Sequence, residues 1–301
     1  MEYSRIIYQP GKVTRIILNR PRYLNGISHP MYRELEDAFD RAGADKNCGC
    51  VVLSGEGRCF SAGHDHQSPE SEPVIAKGGT KEELVKEYGS EDALEAVWWQ
   101  EHYYFTQELK AKWRYLPKPT IAMVHGYCHL GAYATAACMD LIFASEDALF
   151  LTAPMGVYDA GPWWFGVRKY KELIFEGRYI PAREAMACGF VNRVFANREI
   201  LEKETLAYAE RVVDNYSEDS LPLAKRYINY AQDLQGVPMA TRAGLELYKL
   251  QQRMKTDTGL VVLTGGKAKS GAQRAMDNLK AMWAAEKASQ AAALKAAGEN
   301  K

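Results

Sequence analysis

The chain has 301 residues, 47% of them apolar, and its basic and acidic side chains balance to a formal net charge of zero. This length suits one large domain, or a domain with an appendage, and leaves enough apolar residues for a sizeable core. Zero net charge gives no footprint for nucleic acid or an anionic membrane surface, no apolar run is long enough to span a bilayer, and residues 1–10 are mixed and polar, without the apolar centre of a signal peptide.

Residues 5–19 alternate well enough for a pair of strands around the turn Gln9-Pro10-Gly11-Lys12. Residues 29–44 place Met31, Leu35, Ala38 and Phe39 at helical spacing. Residues 50–54 form a short apolar run that exits at Gly55-Glu56-Gly57, which reads as a buried strand. Strand, helix and strand in this order predict a parallel βαβ unit. Cys48 and Cys50 have no second pair beside them, so the six cysteines predict buried thiols in a reducing compartment, with the cytoplasm as the expected location. No metal site is expected.

Residues 67–90 are polar and carry Pro69, Pro73 and Gly78-Gly79, which predicts a loop or a mobile insertion. Residues 91–115 read as one long helix dense in rings: Trp98, Trp99, Tyr103, Tyr104, Phe105 and Trp113. Most of these rings suit a buried core, and some suit the wall of a wide apolar pocket. Strands are expected at 120–124 and 141–144, and a tightly packed small-residue helix at 131–139. The apolar run 149–157 ends in the turn Tyr158-Asp159-Ala160-Gly161-Pro162. A short helix at 183–188 stops at Gly189, and helices follow at 199–215, 221–234 and 239–255, with an Ala- and Lys-rich tail from 276 that frays. The organisation expected is a core over residues 1–197 and a helical region over 198–301.

Two segments concentrate the chemistry. Phe60-Ser61-Ala62-Gly63-His64-Asp65 and His125-Gly126-Tyr127-Cys128-His129-Leu130-Gly131-Ala132 each read as a strand ending in a glycine-bearing turn. Two such turns can aim two backbone N–H groups at one carbonyl oxygen, an oxyanion hole for a thioester or similar group. These turns, with Leu18-Asn19-Arg20-Pro21-Arg22-Tyr23-Leu24-Asn25, Lys118-Pro119-Thr120-Ile121-Ala122 and residues 185–194, resemble the crotonase (enoyl-CoA hydratase/isomerase) superfamily.

The resemblance implies an α/β fold, a crotonase-like ββα spiral core with a C-terminal helical region that caps the site and mediates trimer contacts. By motif position it implies the N–H groups of His64 and Gly131 as oxyanion donors. It places Ala62, Asp65 and His66 on one CoA-contacting segment, and Arg22, Tyr23 and Leu24 on another. It implies an acyl-CoA substrate, no cofactor beyond the CoA of that substrate, and a homotrimer or hexamer; that no nucleic-acid or membrane partner is expected follows from the neutral charge and the lack of a spanning apolar run.

The departures are as informative. The first glutamate of a typical hydratase in the family would fall at Ala134, and the second within 152–154, where the sequence has no carboxylate. Asp159 then remains as a proton carrier; a turn-forming Asp before Ala-Gly-Pro explains it equally well. Tyr158 is placed to bond substrate, and His129, His102 and Glu101 lie on elements that flank the site. Three readings stay open: hydratase/isomerase-type chemistry on a bulky or cyclic enoyl-CoA; a C–C bond hydrolase or aromatic acyl-CoA displacement enzyme of the same superfamily; and a CoA-binding protein without catalysis.

Overall fold

The computed structural model describes residues 2–65, 68–70, 80–152, 157–215, 220–254 and 271–299. The chain opens with an antiparallel hairpin of β1 (Ile6–Gln9) and β2 (Val13–Leu18), with Ile6 opposite Leu18. Helix α1 (His29–Ala44) starts where the Ser28 side chain accepts from Met31 N–H and proline occupies the first turn. Its buried face holds the four apolar residues of the sequence pattern, together with Tyr32, Glu34 and Ala42. Strand β3 (Cys50–Gly55) then pairs parallel with β2, completing the expected crossover.

Residues 80–114 are more structured than their polarity implies. Helix α2 (Lys81–Tyr88) occupies part of the expected loop, because Thr80 and Glu83 form a reciprocal capping box and Gly89 ends the helix with φ of 88°. The expected long aromatic helix is α3 (Glu91–Tyr103), a π-helical stretch at Tyr104–Glu108, and α4 (Leu109–Arg114). The wider π turn rotates α4 relative to α3. No side chain of α3 is fully buried, whereas Leu109, Lys110, Trp113 and Arg114 of α4 are.

Strand β4 (Thr120–Val124) leads to β5 (Tyr127–His129) and directly into α5 (Gly131–Ala137). There follow β6 (Leu141–Ser145), β7 (Leu149–Leu151), α6 (Gly161–Trp164), α7 (Val167–Glu176), β8 (Ile180–Pro181), α8 (Ala182–Ala187) and β9 (Arg193–Phe195). The larger sheet has the order β1-β2-β3-β4-β6-β9, parallel after the first hairpin, and the smaller one β5-β7-β8.

Strand β3 is buried along its whole length because both faces of the sheet are covered. Val51 and Leu53 face α1 and α4, where Phe39 stacks on Trp113 with centroids 4.8 Å apart. Truncating Phe39 to alanine there should cost about 3–5 kcal/mol. Cys50 and Val52 face the opposite way, against Leu201 and Ala209 of α9 (Arg198–Asn215). The helix that begins the expected C-terminal region thus closes the second face of the sheet.

Helices α10 (Ser220–Leu234), α11 (Val237–Met254) and α12 (Gly271–Glu299) complete the described chain. The tail expected to fray is helical to Glu299. Its Ala275 and Leu279 are buried with Leu151 and Tyr179, and Leu130 and Leu149 pack against the same cluster. None of the described helices is long and apolar enough to cross a membrane.

Candidate active site

The site is built where three loops are stitched together. Pro21–Tyr23 form a short 3-10 turn, after which Leu24 and Asn25 take left-handed φ values of 51° and 54°. The buried Asn25 carboxamide organises the junction. Its Nδ2 donates to the carbonyls of Glu56, Cys59 and Phe60 at 2.7, 3.0 and 3.1 Å, and its Oδ1 accepts from Arg20 N–H at 2.8 Å. Sequence reasoning passed over Asn25. Asparagine's tolerance of left-handed backbone was the signal available.

These bonds lay residues 24–27 beside residues 62–65. Ala62 N–H donates to Leu24 O at 2.9 Å, and Ile27 bridges by donating to Gly63 O at 2.8 Å and accepting from Asp65 N–H at 3.2 Å. The two bonds flank His64, so the His64 N–H is directed away from Ile27, towards the second turn. That turn is joined by Ser61 N–H to Tyr127 O at 3.0 Å and by His129 N–H to Ser61 O at 3.2 Å.

The two turns touch. A Cβ on Gly63 would lie 2.4 Å from His129 O and 3.3 Å from Gly131 N, and Gly63 has φ of 90°. A Cβ on Gly131 would lie 2.8 Å from His64 Nε2. At Gly63 only glycine allows this approach, because φ is positive and the neighbour is backbone; at Gly131 the neighbour is the end of the His64 side chain. Between them Leu130 is held at φ 46°, ψ −101°, a strained conformation for a residue with a Cβ, with its N–H bonded to Leu151 O at 2.8 Å. Gly131 is the first residue of α5, so its N–H has no acceptor within the helix. The first helical bond is Ala134 N–H to Leu130 O, at 2.9 Å.

Rings line this point. The His64 imidazole lies 6.2 Å from the Tyr32 ring and 5.8 Å from that of His102, which stacks on Trp98 at 5.3 Å. His102 and Trp98 come from α3, and α11 reaches the same helix through Tyr248 and Lys249 against Trp99. Glu101 lies 3.6 Å from His29 Nδ1. Desolvation lowers the pKa of His29. His129 bonds the Tyr179 hydroxyl at 2.9 Å and His125 the Gly57 carbonyl at 3.0 Å, so both serve the turns themselves.

Leu24, Ala62, His64 and Gly131 are therefore brought together. Arg22 is exposed at the rim, 5.8 Å from the Tyr23 ring. Asp65 faces inward: its carboxylate accepts from Arg20 Nη1 at 2.7 Å, from Ser68 N–H at 3.0 Å and from the Ser68 hydroxyl. His66 lies outside the described residues. Tyr158 is buried beside Cys138, and burial raises its pKa.

Asp159 sits on another side of α5. Its Oδ1 accepts from Gly161 N–H at 2.9 Å and from the Tyr133 hydroxyl at 3.3 Å, and its Oδ2 accepts from Tyr170. Tyr133 is roughly 200° round the helix from Gly131. The Gly161 bond is the turn-forming contact expected of an Asp at this place. Burial nevertheless raises the Asp159 pKa to about 7, against the lowering influence of the Gly161 and Tyr133 bonds. Ala134 is buried.

The profile of the enoyl-CoA hydratase/isomerase family matches residues 13–206. The chain belongs to the enoyl-CoA hydratase/isomerase family. Among curated proteins, this family member is 34% identical, over 90% of its length and 86% of the relative's, to the protein of Mycobacterium tuberculosis named "Putative enoyl-CoA hydratase EchA13". It is 29% identical to the human mitochondrial Delta(3,5)-Delta(2,4)-dienoyl-CoA isomerase, over 70% of this chain and 64% of the human protein. The structure of a probable enoyl-CoA hydratase from Mycobacterium smegmatis superimposes with a TM-score of 0.70 at 30% identity, covering 85% of this chain and 97% of that one. An enoyl-CoA hydratase/isomerase from Xanthobacter autotrophicus Py2 gives 0.68 at 31% identity, covering 82% and 86%. The fold is the crotonase fold.

Proposed function

We propose that this enoyl-CoA hydratase/isomerase family member binds an acyl-CoA thioester and polarises its carbonyl with the backbone N–H groups of His64 and Gly131. The observation that carries this reading is the contact between the two turns, with Gly63 against Gly131 N and His64 against the Gly131 Cα. Two donors fixed before substrate arrives stabilise charge developing on the thioester oxygen without reorganising. The first turn of α5 adds the favourable end of its dipole. Arg22, Leu24, Ala62 and Tyr158 are proposed to contact substrate. Asp65 acts there only through backbone and through Arg20.

Once the carbonyl is polarised, an α- or γ-proton becomes removable. Isomerisation needs one group to take a proton and return it, whereas hydration also needs an activated water. With Ala134 in place of a glutamate, the isomerisation side of the family's chemistry is favoured. Asp159, held near neutrality by burial, is the proposed proton carrier. The His64 imidazole, lying on Gly131, is the second candidate. The rings of Trp98, Trp99 and His102 support a bulky or cyclic acyl group. A homotrimer or hexamer is proposed, supported by exposed Leu223, Tyr227, Ile228 and Tyr230 on α10.

The test is incubation of linear and cyclic enoyl-CoA thioesters with the protein in deuterated water, followed by mass spectrometry. Deuterium uptake without gain of water is expected. Gain of water would mean hydration. No change across the panel, with CoA esters still bound, would favour a binding protein without catalysis.

A further inference from the structure

The interior next to the site contains polar atoms that the fold leaves unsatisfied. Lys110 Nζ, both amide atoms of Gln107 and Trp113 Nε1 are buried, and among the described residues they have no hydrogen-bond partner. Lys110 is 1% exposed, Gln107 4% and Trp113 0%. Buried polar groups are almost always bonded, so such a cluster calls for a partner the chain itself does not supply.

The Lys110 amine is wedged between two rings, 4.3 Å from the Tyr32 centroid and 4.1 Å from that of Trp113. That sandwich attracts a cation but accepts none of its N–H bonds in the way an oxygen would. Lysine brings three donors, tryptophan one, and glutamine two donors beside its single acceptor oxygen. Donors therefore outnumber acceptors, and an oxygen-rich acceptor such as a carboxylate fits the imbalance. Burial lowers the Lys110 pKa to about 7, and a bound carboxylate would hold the amine charged.

The cluster adjoins the proposed oxyanion site. Tyr32, whose ring contacts Lys110, is the same ring that neighbours His64. Along α5, Gly131, Thr135 and Cys138 share one side. Thr135 lies beside Tyr32, and Cys138 is near enough to Lys110 and to Tyr158 for electrostatic influence on each. From Gly131 to Cys138 the helical rise is about 10 Å. Helix α3, which has no fully buried side chain, joins α4 through the π stretch that carries Gln107.

We infer that Lys110, Gln107 and Trp113 form the far end of the acyl subsite and recognise a carboxylate carried on the acyl group, about 10 Å from the thioester carbonyl. The inference rests on the acyl-CoA reading above and narrows its substrate class to CoA monothioesters of dicarboxylic acids.

The experiment is calorimetric titration of the protein with saturated CoA thioesters in length-matched pairs, glutaryl to suberyl against the corresponding plain acyl groups. Saturated esters separate binding from turnover. In the best-fitting pair the dicarboxylic member is expected to bind at least about tenfold more tightly. Lys110→Met, which keeps the length of the side chain, is expected to shrink that ratio to within about twofold. Equal affinity within every pair for the wild-type protein overturns the carboxylate subsite while leaving the acyl-CoA reading intact. An undiminished preference in Lys110→Met overturns the assignment to Lys110. Failure of every ester to bind overturns both readings. The wild-type comparison decides the matter even where the variant does not fold.

Discussion

Replacing Asp159 with asparagine separates the two roles this residue can have. Asparagine keeps the shape: Oδ1 still accepts from Gly161 N–H and Tyr133, and the new amide donates to Tyr170. The Tyr170 hydroxyl then turns its proton to Thr152 Oγ1, 3.1 Å away. What disappears is the titration. Burial raises the carboxyl from 3.8 to about 7, so the folded protein holds this proton over a range where the unfolded chain has lost it. A pKa raised on folding contributes stability that is full below the unfolded value, declines as pH rises through the window, and is gone above the folded value. The slope is about 1.4 kcal/mol per pH unit, or about 4 kcal/mol between about pH 4 and pH 7. Urea unfolding of both proteins across that range, at constant ionic strength, should show wild-type stability falling relative to the variant by this amount and then levelling. Parallel pH profiles would refute the raised pKa. If Asp159→Asn turns over the true substrate at near the wild-type rate, Asp159 does not carry the proton.

Gly131→Pro removes the N–H of the second turn and should lower kcat about 10²- to 10³-fold, with far-ultraviolet circular dichroism confirming the fold; unchanged turnover would remove Gly131 from the oxyanion site. Gly63→Ala meets both a left-handed φ and a backbone oxygen at 2.4 Å, so thermal unfolding should show a loss of more than about 1 kcal/mol. Asp65→Ala removes the nearer carboxylate of the buried Arg20, which keeps Glu70 at 3.5 Å, the Gly26 carbonyl and the Ser68 hydroxyl, and should cost about 1.5–3 kcal/mol. A change confined to KM with an unaltered melting temperature would instead mean that the Asp65 carboxylate works on the ligand.

The parallel sheet was readable because its strands are short apolar runs separated by Gly- and Pro-bearing turns, and α1 because its apolar residues recur at helical spacing. The turn around Gly63 was readable because a positive φ and close backbone approach leave glycine as the one residue that fits. The fate of Asp65 was not, since whether a carboxylate faces a ligand or an arginine forty-five residues away depends on how two loops pair. Helix α2 had its signal in Thr80-x-x-Glu83, which the surrounding Pro and Gly residues obscured. The unsatisfied donors at Gln107 and Lys110 were invisible for another reason: lysine and glutamine in a helix ordinarily face water. Burial follows from the register change at the π stretch, and nothing in local composition announces it.

The cluster that joins Leu130 to α12 has a consequence for how the protein is made. Leu130 leaves the ribosome about 150 residues before Leu279, an interval of roughly 10–30 s at ordinary synthesis rates. Until α12 is made, the strand that presents Gly131 lacks this wall, and the apolar sides of Leu149, Leu151 and Tyr179 are without their cover once they are synthesised. The left-handed backbone at Leu130 has to be held against its own preference, and the helix that helps hold it is made last among the described helices. The backbone that presents Gly131 is thus secured by a contact about 150 residues further along the chain.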